Sequence, residues 1–203
     1  NNVWAALLMN LAAFSYYSYG INGIRNGLAC SIMLVAFSYI LGSKKDKLIA
    51  AILCFCAYNI HNSMALPILM MVISAFILPI FRHKLTLAIT CWIVSILLSL
   101  TIGDWLETFF AGFDIDDRLS SYITNDEYDD LFSNVGFRWD FLLYSAMPIL
   151  LGWYVVVKRG ISNKTYLMLL NTYILCNAFW VLLIRASFSN RFAYLSWFIY
   201  PIL

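Results

Sequence analysis

The sequence predicts an all-α fold: a polytopic transmembrane helical bundle of about eight membrane helices, forming a single domain over residues 1–203. Three observations predict it. The chain is 63% hydrophobic and only 12% charged, whereas a soluble domain is roughly 45–50% apolar and about 25% charged. Its apolar residues come in long runs, and a helix needs roughly 20 of them to cross a bilayer. Finally, its lysines fall only at alternate connections between those runs.

The runs are, in order, about 3–18, 28–42, 48–60, 65–81, 85–102, 139–157, 165–184 and 192–203. The first connection, 19–27, has no lysine. The second, Gly42-Ser43-Lys44-Lys45-Asp46-Lys47, is a short basic turn. Residues 61–64 again lack lysine, and Phe81-Arg82-His83-Lys84 is basic. The long connection 103–138 lacks lysine, Lys158 to Lys164 is basic, and 185–191 lacks lysine. The three basic turns hold every lysine and eight of the thirteen Lys and Arg residues. Positive charge is retained on the cytoplasmic side, so these turns face the cytoplasm and the intervening connections face outward.

Two runs look short. Residues 48–60 reach only about 20 Å and 28–42 about 22 Å at 1.5 Å per residue. Either their outer ends stop in a recess that holds Arg25 and His61, or flanking polar residues extend both helices and the bilayer thins around them. The outer stretch 103–138 is rich in carboxylates and aromatic rings, with Arg118 and Arg138 as its cations. Rings such as Trp105 pack on sugar faces while carboxylates bond hydroxyls, which suits a glycan. An amphipathic lid has the same composition.

Several classes of function are excluded. A net charge of +2 without a basic stripe gives no footprint for nucleic acid. All five cysteines lie within apolar runs, which argues against a disulfide framework or a metal site. No zinc, phosphate-loop or nucleophile-elbow spacing is present, and neither metal nor cofactor is expected. No basic leader precedes the first run. The chain starts at Asn1 and stops inside an apolar run, as expected for a piece of a longer membrane protein.

The candidate site lies on the outer side. All five cations there are arginine: Arg25, Arg118, Arg138, Arg185 and Arg191. A guanidinium stays charged, and its planar fork matches phosphate oxygens two at a time. Arg25, with Asn22 close by, directly precedes an apolar helix, where free amides and the helix dipole favour an anion. An arginine snorkelling to lipid headgroups would look the same. His61 ends a short membrane helix and could serve as a base, a phosphate donor or a plain helix terminus. Arg185 and Arg191 flank one short outer loop and could converge on one anion or pair with the acidic stretch.

These residues resemble a known family. Ile24-Arg25-Asn26-Gly27-Leu28-Ala29 resembles the Arg-Gln-x-x-Ala motif of EpsG-type exopolysaccharide polymerases, with Asn26 in the usual glutamine place. Ile60-His61-Asn62-Ser63-Met64-Ala65 is similar to their Phe-His-x-Ser-Ala motif, with Ile60 in the place of phenylalanine. Asn190-Arg191-Phe192-Ala193-Tyr194 looks like their Arg-x-x-Tyr segment. The order and spacing agree over about residues 20–203.

The resemblance implies a multi-pass protein of the bacterial inner membrane. Such a Wzy-like polymerase, related in type to the O-antigen polymerases, joins repeat units carried on undecaprenyl diphosphate. The matched motifs imply catalytic roles for His61, Arg25 and Arg191 and a substrate contact from Tyr194, and their place on the outer side adds Arg185, Asn22, Arg138 and Trp105 as substrate contacts. Its partners would be the undecaprenyl-diphosphate-linked glycan, membrane lipid, and chain-length regulator and flippase proteins. The rival functions are a transporter or flippase of a lipid-linked or anionic substrate, and a membrane acyltransferase acting on surface glycans. A transporter would place its charges near the midplane, not at one face.

Overall fold

The computed structural model describes residues 3–21, 23–111, 136–161, 163–185 and 190–203. Every regular element among them is helical. Helices α1 (Val3–Ala12) and α2 (Phe14–Ile21) form one interrupted rod. α3 (Ile24–Tyr39) turns back into α4 (Lys44–Ile60). A 3-10 turn, Asn62–Met64, leads into α5 (Ala65–Val72), which continues as a π turn, Ile73–Ile77, and a 3-10 turn, Leu78–Ile80. α6 is Lys84–Ala111, and α7 is Trp139–Trp153 with a π turn, Tyr154–Lys158. α8 is Lys164–Leu182, and α9 is Asn190–Trp197, followed by a 3-10 turn, Tyr200–Ile202.

Four described helices are long and apolar enough to cross a membrane: Asn62–Ile80, Lys84–Gly103, Trp139–Lys158 and Lys164–Leu182. Ile24–Tyr39 is apolar but shorter. The remaining expected segments are helical too, as α1 with α2, α4, and α9 with its 3-10 turn.

The two short segments begin earlier than their apolar runs do. Ser43 opens α4 through a capping box: the Asp46 amide donates to its Oγ at 3.3 Å, and the Ser43 amide donates to Asp46 Oδ2 at 2.8 Å. The hydrogen bonds from the Ser43 hydroxyl and amide hold the Asp46 carboxyl below the usual carboxylate range. The 17 residues of α4 reach about 26 Å, and the 16 of α3 about 24 Å. Polar flanking residues add one turn at the start of each helix, but α3 stops at Tyr39 and both remain shorter than a bilayer core of about 30 Å. Arg25 lies inside the first turn of α3, not before it. These two helices pack antiparallel through Ala29, Met33 and Ala36 against Ala50, Cys54 and Ala57, all buried. Small side chains let membrane helices approach closely.

α8 is the central helix. Of its membrane window 72% is buried inside the protein, against 22–33% for the other three long helices. Polar pins fix its neighbours around it. Asn177 Oδ1 accepts from Trp92 Nε1 on α6 at 2.8 Å, and Asn177 Nδ2 donates to Ser196 Oγ on α9 at 3.1 Å. Tyr173 donates to the Ser145 carbonyl on α7 at 2.9 Å, and Trp197 Nε1 donates to Ser145 Oγ at 2.8 Å. α9 runs antiparallel to α8, with Trp197 beside Trp180 (5.9 Å between centroids) and Tyr200 beside Tyr173 (6.4 Å).

The chain thus alternates in direction and gathers its basic turns at one end. Lys47 at the start of α4 lies 5.3 Å from the ring of Phe76 near the end of the α5 rod. Gly160, at φ 67°, takes the left-handed conformation that ends the α7 rod between Arg159 and Lys164. The opposite end collects the starts of α3, α7 and α9 and the ends of α4 and α8. If lysine distribution sets orientation, cysteine introduced at Ser162 is shielded from an impermeant thiol reagent in intact cells, and cysteine at Ser121 is labelled. The reverse pattern would move every candidate residue to the cytoplasm.

The outer stretch 103–138 is partly helical. α6 bends at Ile102 (φ −130°, ψ 28°) and continues to Ala111. Residues 112–135, which include Arg118, lie outside the described residues, as do Asn22 and 186–189.

Candidate functional site

The site is built at the end opposite the basic turns. Arg25 projects from the first turn of α3 and is exposed. Its helix starts at Gly23 with no side-chain cap, so the first amides carry the unopposed positive end of the dipole. The Arg138–Asp140 ion pair lies elsewhere, and no carboxylate among the described residues pairs with Arg25.

His61 caps the C-terminus of α4 in extended geometry (φ −148°, ψ 110°). It is half-buried, and its Nδ1 accepts from the Ser63 amide at 3.3 Å. The Ser63 bond uses the Nδ1 lone pair, so a neutral ring carries its proton on Nε2. In that tautomer Nε2 is a hydrogen-bond donor and cannot accept a proton.

Arg191 is exposed in the first turn of α9. A clasp joins its segment to that of Arg25. The Tyr19 hydroxyl on α2 donates to the Tyr194 carbonyl on α9 at 2.6 Å, across 175 residues of sequence. The two rings meet edge-to-face at 5.6 Å. Cys30 on α3 completes the clasp: its Sγ lies 3.5 Å from Tyr19 Oη and 3.4 Å from Asn26 Oδ1, and its one S–H can donate to either. Tyr194 thus acts through its backbone and its ring packing, which also includes Trp197 at 5.5 Å.

Arg185 follows α8 and is half-buried against α6. A Cβ built on Gly103 would lie 2.7 Å from Arg185 Cδ and 2.8 Å from its Nε. Only glycine leaves room there for the guanidinium stem. Arg138 is engaged otherwise. It forms a bidentate pair with Asp140 at 2.7 and 3.0 Å and stacks on the Phe141 ring at 3.9 Å. A ligand would meet that pair as a nearly neutral unit. Trp105, on the extension of α6, is exposed and stacks on Phe109 at 5.1 Å between centroids, an open aromatic platform. Among the described residues no three His, Cys, Asp or Glu side chains gather to hold a metal ion.

The EpsG family matches residues 1–203, the whole chain. The chain belongs to the EpsG family. Neither a curated protein nor a solved structure matches it. In this EpsG-family chain three segments far apart in sequence, around Arg25, His61 and Arg191, come to one end of the bundle. Tyr19, Cys30 and Gly103 join them, and sequence reasoning did not single these out. Tyr19 follows Tyr16 and Tyr17 at the end of the first run and Cys30 is one of five cysteines, so neither carried a signal of its own.

Gly103 offers a direct check. Gly103→Ala must push Arg185 aside, and displacements near 1 Å at a reacting site can cost up to roughly a hundredfold. If Arg185 serves the reaction, Gly103→Ala slows it, and adds nothing further once Arg185 is alanine. Additive losses would show that Gly103 acts on packing alone.

Proposed function

We propose that this chain is a polysaccharide polymerase that joins glycan repeat units carried on a lipid diphosphate at the outer face of the bacterial inner membrane. Family membership supports a role in polysaccharide biosynthesis. The observation that carries the site is the Tyr19–Tyr194 clasp at 2.6 Å, which ties the Arg25 segment to the Arg191 segment.

In the reaction an acceptor hydroxyl forms a bond to the donor sugar's anomeric carbon as the bond from that carbon to phosphate breaks. The lipid diphosphate leaves with the electron pair, and the hydroxyl proton passes to an oxygen of the departing diphosphate or to water. Charge grows on the phosphate oxygens, and fixed donors aimed at them lower the barrier. Arg25 and Arg191 supply paired N–H groups, Arg185 assists, and His61 donates from Nε2. The stretch 103–138, with Trp105 at its start and Arg138 at its end, holds the acceptor glycan, with Asn22 beside the diphosphate.

The test is a proteoliposome assay with a lipid-diphosphate-linked oligosaccharide as sole substrate. A ladder of elongated glycan with release of free lipid diphosphate is expected. Transfer of the intact lipid between leaflets without elongation would instead make the protein a transporter. A gain of acyl mass without new glycosidic bonds would make it an acyltransferase.

A further inference from the structure

A cleft of about 550 Å³ opens between α1–α2 and α3; Ile24 and Leu28 line it, and Arg25 stands next to Ile24 in the chain without lining it. Its α3 wall is a stripe at helical spacing: Ile24, Leu28, Ser31 and Leu34. The ten-residue step from Ile24 to Leu34 runs about 15 Å inward from the outer end. Tyr16 and Tyr17 face it from α2, and Phe198, just beyond α9, closes the inner side. Gly27 permits the narrow part, since a Cβ there would lie 2.8 Å from Tyr19 Cβ. Arg25 is exposed one turn above Leu28, as i and i+3 neighbours on one helix are.

A cation at the interface above a mixed aromatic and aliphatic trough is complementary to an amphiphile with an anionic head and one unsaturated hydrocarbon tail. We propose that this cleft seats the polyprenyl chain of the lipid-diphosphate substrate, with its diphosphate at Arg25. The assignment rests on the polymerase reading for the identity of the head, and on the cleft itself for the tail. Branched isoprene units pack against the Tyr16 and Tyr17 rings, which meet edge-to-face at 5.5 Å, and the α3 stripe receives their other side. The chain enters sideways from the bilayer, so the carrier never leaves the membrane while its head is held for transfer. Ordinary phospholipids, with two tails and a smaller charge, fit this single trough less well.

The experiment uses the full chain in lipid nanodiscs and a polyprenyl diphosphate carrying a benzophenone on its terminal isoprene. Photolabelling is expected on peptides within 10–34 or at Phe198. Excess unlabelled polyprenyl diphosphate should compete, and phosphatidylglycerol should not. Arg25→Ala should weaken labelling. Ser31→Trp fills the trough and should raise the apparent KM for the carrier about tenfold, the loss expected when roughly two methylenes no longer find the wall. Should Ser31→Trp not accumulate, Ser31→Cys in a Cys56→Ser, Cys91→Ser chain, alkylated with a bulky maleimide after purification, provides the block in folded protein. Labelling elsewhere overturns the proposal. So does equal competition by phosphatidylglycerol, which would mark an ordinary lipid, or crosslinking of the Ser31→Cys thiol to a second copy, which would mark an oligomer contact. Specific labelling without glycan elongation would leave the cleft standing and remove the polymerase reading. Elongation at an unchanged KM in the blocked protein would do the opposite.

Discussion

His61→Ala lowers the elongation rate by about a hundred- to a thousandfold, the usual cost of deleting one donor aimed at developing oxyanion charge, while protein level stays near normal. The His61 backbone N–H closes α4 on the Ala57 carbonyl whatever the side chain is, and Nδ1 accepts from the Ser63 amide at 3.3 Å at the start of the 3-10 turn, so α4 keeps its end in the alanine variant. The Ser63–Nδ1 bond, which leaves the proton of a neutral ring on Nε2, sharpens the expectation. His61→Gln keeps an N–H near the Nε2 position but provides no general base. It should therefore recover a good part of the rate, and the residual rate should not rise with pH through the histidine range. A glutamine variant as inactive as alanine would make the histidine a base after all. Wild-type chain length from the alanine variant would leave His61 as a helix terminus and nothing more.

Arg25→Lys and Arg191→Lys each lose about ten- to a hundredfold in elongation while still inserting and accumulating. Lysine keeps the charge but lacks the planar fork that grips two phosphate oxygens together. Each charged hydrogen bond contributes roughly 1.5–3 kcal/mol, which corresponds to that range if it is made in the transition state. The double variant should be little worse than the worse single one, because groups that hold one ligand act as a unit. Both arginines are exposed on first helical turns, so neither substitution disturbs the core. Snorkelling to headgroups needs only a cation on a long stem. Full-length glycan from both lysine variants would therefore reduce the arginines to interfacial anchors.

The helical class and the alternation of direction were legible because both are written in long-range composition: apolar runs, and lysines at every second connection. The helix boundaries were harder to read. α3 and α4 each begin four residues before the apolar run does, because a Ser43–Asp46 capping box and the polar turn at Arg25 are helical in fact but not apolar in composition. The helical continuation of α6 past Gly103 was hidden for the same reason. Arg25, His61 and Arg191 stood out as charges at the ends of membrane segments. What holds their segments together did not. A tyrosine hydroxyl on a backbone carbonyl 175 residues away leaves no periodic trace. Neither does a glycine that makes room for an arginine on another helix. Both depend on which helices become neighbours, which local pattern does not encode.

The central position of α8 bears on how the chain is assembled during synthesis. Asn171, Thr172 and Asn177 are all buried within the protein, and α8 is the least apolar of the four long helices. Alone in lipid, its asparagines would face hydrocarbon without partners, at a cost of a few kcal/mol. One partner, Trp92, is already in the membrane when α8 emerges from the ribosome, but Ser196 lies 19 residues further on. Until α9 arrives, α8 can be sheltered only by the helices that precede it, α6 foremost. Substituting Trp92 by phenylalanine should thus slow or misdirect insertion of the last two helices more than it weakens the finished bundle. The defect would appear as degradation of newly made protein, with surviving molecules that behave normally.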